Sequence, residues 1–241
     1  VAIRWIKERY GHDVITLTAD LGNVKDLDEI RDRAIDVGAI GAKVVDVRSE
    51  FVEQYVFPAL RANAMYQGVY PLATALGRPL IAKLMVEAAR QEGAIAVAHG
   101  CTGKGNDQVR LDISVGALAP DLEVIAPARE WGMTRADEIE YAEKNNINVP
   151  NTIEKPYSTD DNVWGRSIEA GVLEDAWHEP PIDVYEWTND PKDCPDQPLY
   201  LDILFKQGNP VAIDSENMAP LDLAVKLSDL AGLHGIGRID H

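Results

Sequence analysis

A short apolar run leads directly into a glycine-rich segment, and this junction limits the possible folds more than any other feature. Ala94–Ala98 is a buried-strand candidate, and the next twelve residues, His99–Arg110, read HGCTGKGNDQVR. Glycines at 100, 103 and 105 leave the backbone N–H groups uncovered, so that several can converge on one anion. Lys104 adds positive charge, and a helix starting near Asp107 would direct its N-terminus at the same place. The junction predicts an anion-binding loop in an α/β protein.

The simplest alternative for this loop is a flexible surface turn, since three glycines alone are a weak signal. The polar residues around them, and their position after a strand, favour a ligand site, because open α/β sheets bind ligands there. The loop is not a Walker A motif, because Gly105 rather than Ser or Thr follows Lys104. Cys101 is interpreted as a small packing residue, since only the adjacent His99 could activate it.

The first 150 residues alternate between strand and helix patterns. Strands are predicted at Val14–Ala19, Lys43–Val47, Ala94–Ala98 and Leu122–Ile125. Helices are predicted from Leu27 to Gly38, from Pro79 to Gly93, from near Asp107 and, after a Thr134 capping box, through Asn145. This alternation predicts a doubly wound parallel sheet in a first domain that covers residues 1–150.

The amino-acid composition of the chain changes after Pro150, where prolines become frequent. Strands are predicted at Ile182–Trp187 and Leu199–Phe205, a hairpin at Gly208–Ile213, and a last helix from Leu221. Residues 151–241 are therefore predicted to form a second, α+β domain.

Composition excludes several classes of partner. Lys and Arg total 23 against 40 Asp and Glu, and this charge of −17 disfavours nucleic acid and anionic membrane as partners. No apolar run reaches the roughly 20 residues of a membrane helix, and we expect no export, because the sequence shows no basic, apolar leader pattern. Two cysteines without a spacing motif favour a reduced, cytoplasmic setting. The five histidines have no metal-ligand spacing, so no protein-held metal is predicted.

Two further segments are candidate ligand sites. Tyr70–Pro79 could present the hydroxyls of Tyr70 and Thr74 to a polar small molecule, although an apolar loop leading into a helix is the alternative. In the second segment, Ser158–Ser167, the first serine is also a plausible helix cap and the last an ordinary surface residue.

Taken together, three stretches resemble the argininosuccinate synthase family. They read YPLATALGRPLIAKLMVEAARQEGAIAVAHGCTGKGNDQVRLD, STDDNVWGRSIEAGVLED and HGIGRIDH. The resemblance implies an N-type ATP pyrophosphatase domain (adenine nucleotide alpha hydrolase-like), followed by a synthetase domain for catalysis and multimerisation. Such ligases adenylate the ureido oxygen of citrulline with ATP, releasing pyrophosphate. The aspartate amine then displaces AMP from citrullyl-AMP to give argininosuccinate, a step of arginine biosynthesis.

The resemblance also implies roles for individual residues. ATP, with Mg²⁺ bridging its phosphate oxygens, would contact Ala19 and Gly100. Aspartate would be bound by Thr102, Asn106 and Asp107, and citrulline by Tyr70, Thr74, Asn106, Arg110, Ser158 and Ser167. Asp107 suits an ammonium group and Arg110 a carboxylate. Lys104, Asp107 and Arg110 would supply the catalytic charges, and bringing the ligands together supplies proximity.

The chain departs from the family pattern in three places. Ala75 stands where many relatives have a serine that contacts citrulline. The pyrophosphate-binding motif SGGLDTS would end just before Val1, and the stretch after GRIDH, with a C-terminal oligomerising helix, is not in the sequence. We therefore expect an internal portion of a longer chain, from a family that is tetrameric.

Two alternatives to the ligase remain. One is a catalytically incompetent fragment or binding module that keeps part of the nucleotide and amino-acid sites. The other is a related ATP-pyrophosphatase-type enzyme, such as an amidotransferase synthetase or a tRNA thiolase. The acidic charge disfavours tRNA, and ammonia in place of aspartate would leave Asp107 without a role.

Overall fold

The computed structural model describes residues 1–22, 26–148 and 157–240. The chain folds into two compact units, and each is built from separate stretches of sequence. The first comprises Val1–Asp20, Val24–Asp46 and Gly77–Asn151, and the second comprises Leu21–Asn23, Val47–Leu76 and Thr152–His241. The domain boundary predicted between residues 150 and 151 lies outside the described residues and stays a prediction.

The described residues form both helices and strands. The α-helices are α1 (Ala2–Tyr10), α2 (Leu27–Asp36), α3 (Arg48–Phe51), α4 (Phe57–Arg61), α5 (Ala73–Glu92), α6 (Asp107–Leu118), α7 (Pro127–Glu130), α8 (Arg135–Lys144) and α9 (Pro220–Leu233). The strands are β1 (Ile15–Asp20), β2 (Gly41–Asp46), β3 (Ala96–Ala98), β4 (Glu123–Ile125), β5 (Ser158–Asn162), β6 (Gly165–Glu169), β7 (Ile203–Lys206), β8 (Asn209–Ile213) and β9 (Glu216–Asn217).

The first unit contains two parallel strand pairs. β1 pairs with β2, with Ile15 opposite Gly41, and β3 pairs with β4, with Ala96 opposite Glu123. The four strands lie close to where the sequence predicts them, because their runs of β-branched and apolar residues favour extended backbone. Among the described residues the pairs remain two separate sheets. The α/β character is therefore confirmed, whereas a single doubly wound sheet stays a prediction.

The observed helix starts agree with the sequence at α8 and differ from it at α5. α8 begins with the predicted capping box, in which the side chains of Thr134 and Asp137 each accept the other's backbone N–H. The prediction that Pro79 starts a helix is wrong, because α5 begins six residues earlier and Pro79 lies inside it. The first turn forms after Leu72, whose φ of 57° is left-handed, and the Tyr70 hydroxyl accepts the Thr74 N–H at 3.1 Å.

The core of the first unit lies between α5, α6, β3 and β4. Its buried members are Ala82, Ala89, Val97, Leu111, Val115, Ala119 and Leu122. Cys101 packs against this cluster, which confirms its interpretation as a packing residue. Burial, followed by the charge of Asp107, raises the pKa of the Cys101 thiol, so that it is a poor nucleophile.

The second unit consists of two β-hairpin systems and helices. β5 pairs antiparallel with β6, and β7, β8 and β9 form a three-stranded antiparallel sheet. The hairpin predicted at Gly208–Ile213 is confirmed as the β7–β8 turn, and α9 begins one residue before its predicted start. The strand predicted at Ile182–Trp187 is wrong, because Ile182–Val184 is a 3-10 turn after two prolines, which cannot donate ladder hydrogen bonds. The strand predicted at Leu199–Phe205 begins only at Ile203.

The core of the second unit packs α9 and β8 against the helices that follow residue 47. Phe51, Val52 and Val56 are fully buried there, and Ile213 and Leu223 are nearly so. Residues 52–56 adopt π-helical geometry between α3 and α4. Within the described part of the chain, no helix is long and apolar enough to cross a membrane.

Candidate functional site

The glycine-rich segment forms an exposed loop between β3 and α6 in the first unit. Thr102–Asn106 are all exposed, and α6 begins at Asp107, as the sequence predicts. The Asn106 side chain does not cap this helix although Asn106 occupies the N-cap position. Three residues that the resemblance assigns to ATP or aspartate, Gly100, Thr102 and Asn106, therefore face solvent on one short loop.

The glycines of this loop are not explained by packing within the chain. A Cβ added at Gly100 or Gly105 would meet no heavy atom within 4 Å, and at Gly103 it would meet only Arg129 Cγ at 3.9 Å. None of the three has a positive φ. Neither a close neighbour nor a left-handed backbone therefore requires glycine at these three positions.

Asp107 lies between two arginines. Arg110 Nη1 contacts Asp107 Oδ1 at 2.8 Å, and Arg78 Nη2 contacts Asp107 Oδ2 at 2.8 Å. Burial opposes ionisation of this carboxyl, but the hydrogen bonds and charges of the two arginines outweigh it and lower its pKa. The structure thus brings Asp107 and Arg110 together, as predicted, and adds Arg78, which sequence reasoning missed. The sequence feature that could have indicated Arg78 is its position within Tyr70–Pro79, which was already a candidate ligand segment.

His99 is a second residue that sequence reasoning left without a partner. Its side chain is 5% exposed, and Nε2 lies 2.8 Å from Asp112 Oδ1 on α6. The spacing of thirteen residues crosses the whole loop, so that no local motif could have revealed the pair. Arg129 on α7 contacts the other carboxylate oxygen of Asp112 at 2.8 Å.

In the second unit, three predicted hydroxyl residues meet at one point. The Tyr70 hydroxyl lies 3.1 Å from Thr74 Oγ1 and 3.4 Å from Ser167 Oγ. Tyr70 precedes α5, Thr74 lies in its first turn, and Ser167 lies on β6, opposite Asp160 of β5. Such a cluster can donate to and accept from a polar ligand.

The β5–β6 hairpin is fixed to the start of α5 by its turn. Asn162, which is 2% exposed, donates to the Ala73 carbonyl at 2.8 Å and accepts the Trp164 N–H at 2.8 Å. Trp164 Nε1 donates to the Pro71 carbonyl at 3.2 Å. A Cβ at Gly165 would lie 3.0 Å from Ala73 Cβ, so that only glycine permits this approach without displacement. These contacts keep Ser167 beside Tyr70.

The other site residues predicted from the sequence occupy the following positions. The helix-cap interpretation of Ser158 is wrong, because Ser158 begins strand β5 and is exposed. Ala19 lies near the end of β1, and Lys104 is exposed in the loop. Ala75 lies in the first turns of α5, in the same helix as Thr74. Over the residues that can be described, no three His, Cys, Asp or Glu side chains cluster in a way that could hold a metal ion.

Comparison with known proteins agrees with the resemblance over both halves of the chain. The family model described as the arginosuccinate synthase N-terminal HUP domain matches residues 1–148, and the one described as the arginosuccinate synthase C-terminal domain matches residues 157–241.

Curated relatives carry the same name. An argininosuccinate synthase of Dehalococcoides mccartyi (strain BAV1) is 57% identical over all of this chain and 59% of its own length. Those of Oceanobacillus iheyensis and Dictyoglomus turgidum are 53% and 54% identical, again over all of this chain and over 58% and 60% of their own lengths. The chain thus spans about three fifths of the length of these relatives. Two matching domain models and this identity over its full length show that the chain belongs to the argininosuccinate synthase family.

Proposed function

We propose that this chain carries part of the active site of an ATP-dependent ligase that joins L-citrulline to L-aspartate. The observation that supports this most is the loop between β3 and α6. There, exposed Thr102 and Asn106 lie beside a carboxylate, Asp107, that is kept ionised next to Arg110. An ionised carboxylate and a guanidinium on one helix turn suit a ligand that carries both an ammonium and a carboxylate, as amino acids do.

In this proposal the first unit binds ATP and aspartate. Gly100 and Ala19 would contact ATP, and Lys104, exposed in the loop, would supply positive charge near its phosphates. The open space in front of Gly100 and Gly105 would admit those phosphates. Thr102 and Asn106 would donate to the aspartate carboxylates while Asp107 accepts from its ammonium. Mg²⁺ would be bound by the ATP phosphates rather than by a protein cage.

The hydroxyl cluster of the second unit would bind citrulline. The Tyr70 hydroxyl lies 3.1 Å from Thr74 Oγ1 and 3.4 Å from Ser167 Oγ, and Ser158 lies on the same hairpin as Ser167. Citrulline offers a ureido group with both donors and acceptors, which such hydroxyls can match. The contact that a serine makes at the position of Ala75 in many relatives would be either lost here or made by Thr74.

In this reaction the protein would mainly position the substrates and stabilise developing charge. The citrulline ureido oxygen attacks the α-phosphorus of ATP, and pyrophosphate leaves. The aspartate amine then attacks the activated carbon, and AMP leaves with the carbon–oxygen bond electrons. Lys104 and Arg110 would stabilise the negative charge that develops on phosphate oxygens, and Asp107 would orient the aspartate amine.

We propose in addition a sheet topology, domain boundaries, an oligomeric state and a cellular location. We infer that the β1–β2 and β3–β4 pairs are parts of one doubly wound sheet, since the side chains along β1 remain only half-buried within this chain. Residues 1–150 and 151–241 would be the nucleotide-binding and synthetase domains. A homotetramer in the cytoplasm is what family membership leads us to expect.

Pyrophosphate release tests the ligase. We expect a version extended at both ends with the flanking residues of the Dehalococcoides relative to release pyrophosphate from ATP only when citrulline is present. Argininosuccinate should then form when aspartate, but not ammonia, is added. Activity with ammonia in place of aspartate would contradict the proposal and favour an amidotransferase-type enzyme.

A binding fragment is the second candidate, and the coverage of only 58–60% of the relatives' length favours it. Pyrophosphate release by the 241-residue chain distinguishes the ligase from the binding fragment. If the 241-residue chain binds aspartate but releases no pyrophosphate, whereas the extended version does, the chain is a ligand-binding portion of the ligase.

A further inference from the structure

The backbone on the two sides of Thr102 is held by side chains that have no assigned role. On the N-terminal side, the Cys101 N–H donates to Nδ1 of His99 at 3.2 Å. On the C-terminal side, Gln108 Nε2 donates to the Gly103 carbonyl at 2.9 Å. Thr102 is the one residue between these two anchored groups, and its own side chain is exposed.

The two anchors are joined to each other through a carboxylate and a guanidinium. His99 Nε2 lies 2.8 Å from Asp112 Oδ1, and Arg129 Nη1 donates to Asp112 Oδ2 at 2.8 Å. The same Nη1 donates to Gln108 Oε1 at 2.9 Å. The bonds therefore form a closed ring that starts at the Cys101 N–H and returns at the Gly103 carbonyl. We call His99, Asp112, Arg129 and Gln108 the clamp.

The hydrogen bonds determine the tautomer of His99. Because Nδ1 accepts the Cys101 N–H, it carries no proton, and Nε2–H donates to Asp112. Asp112 from α6 contacts the imidazole, and Arg129 from α7 contacts the other oxygen of that carboxylate. Burial opposes ionisation of Asp112, but the hydrogen bonds from His99 and Arg129 outweigh it and lower the pKa of this carboxyl. Asp112 is thus charged and able to hold both partners.

We propose that the clamp residues are positioning residues that fix Thr102 in the geometry in which it binds the carboxylate of an amino-acid ligand. This inference rests on the proposed function for the identity of the ligand, L-aspartate, but not for the geometry of the loop. A glycine-rich loop loses more conformational freedom on ordering than other sequences, so that a loop already held at both sides of its contact residue binds with a smaller entropic cost.

Two substitutions of His99 separate the effect of its contact with the Cys101 N–H from that of its contact with Asp112. His99→Asn keeps an acceptor for the N–H two residues ahead, which is the bond that asparagine makes in an Asx-turn, but does not reach Asp112. His99→Leu keeps neither contact. Gln108→Glu, at a partly exposed position, keeps the shape and the Arg129 contact but removes the donor to Gly103. Gln54→Glu, which makes the same charge change at an exposed position in the second unit, is the matched control.

Two readouts separate the geometry of the loop from ligand binding. Hydrogen exchange of the Cys101 and Thr102 amides, measured by NMR without ligand, reports the loop, and titration with L-aspartate reports binding. We expect His99→Leu and Gln108→Glu to speed exchange and to weaken aspartate binding about tenfold, which corresponds to about 1.4 kcal/mol. His99→Asn should bind within about threefold of the unsubstituted chain. Gln54→Glu should change neither readout.

The outcomes distinguish this inference from the proposed function. Equal aspartate affinity in His99→Leu, Gln108→Glu and the unsubstituted chain would overturn the clamp. If the unsubstituted chain binds no aspartate, the proposed function fails at this site, and the exchange rates alone decide. Faster exchange in both variants then supports the clamp as a device that holds the loop, and unchanged exchange overturns it.

Discussion

Replacing Gly100 with alanine should separate ligand binding from folding. The structure leaves no heavy atom within 4 Å of an added Cβ, and the φ of Gly100 is not positive. Alanine therefore fits the folded backbone and restricts only the unfolded chain. We expect Gly100→Ala to raise the free energy of unfolding by about 0.4–1 kcal/mol.

The same methyl group should harm ATP binding. If ATP approaches the backbone of Gly100, the methyl takes the place of ligand atoms, and misfits of one methyl group cost about 1–3 kcal/mol in a closely packed contact. At 1.4 kcal/mol per factor of ten, ATP affinity should fall between about fivefold and a hundredfold. Isothermal titration of the extended chain with ATP measures this, and urea unfolding followed by tryptophan fluorescence measures stability.

Gly165→Ala is the matched control, because its Cβ would lie 3.0 Å from Ala73 Cβ. That neighbour must move, so we expect a loss of roughly 1 kcal/mol of stability. The reasoning is refuted if Gly100→Ala destabilises the chain as Gly165→Ala does, or if it leaves ATP affinity unchanged.

Three other substitutions test the ion pairs and the buried amide. Arg110→Ala in the extended chain should weaken citrulline binding by about 1.5–3 kcal/mol in titration calorimetry, and unchanged affinity would remove Arg110 from the site. Asn162→Ala leaves the Ala73 carbonyl and the Trp164 N–H without their partner, so urea unfolding should record a loss of about 1–3 kcal/mol, whereas no loss would mean that water replaces the amide. The folded-state pKa of Asp112 is lowered, so its stabilisation is present above about pH 4 and is lost as the pH falls through the folded-state pKa. Asp112→Asn should therefore reduce the acid dependence of thermal unfolding below about pH 4, and an unaltered dependence would contradict this assignment.

Local patterns predicted much of the first unit. Strand runs, the Thr134 capping box and the start of α6 depend on neighbours within a few residues, and all appear in the structure. The start of α5 was misplaced because a tyrosine hydroxyl three residues before the helix accepts a backbone N–H of its first turn. Pro79 alone suggested a helix start, since proline is favoured there.

Long-range contacts account for what sequence reasoning missed at the site. Arg78 reaches Asp107 across 29 positions, and His99 meets Asp112 across the loop. No spacing rule connects such residues, because tertiary packing brings them together. Similarly, the segment expected to form a strand from Ile182 has apolar residues of a suitable type. It follows two prolines, which cannot donate ladder hydrogen bonds, and it forms a 3-10 turn instead.

The division of the chain into interleaved units has a consequence for how the protein folds and how it can be cut. Phe51, Val52 and Val56, fully buried in the second unit, precede α9 by more than 160 positions. A fragment starting at residue 151 would leave apolar surface on α9 and β8 exposed to water. Contacts of such high sequence separation slow folding, because a long loop must close before they form. The second unit thus cannot complete its core during synthesis until α9 has been made.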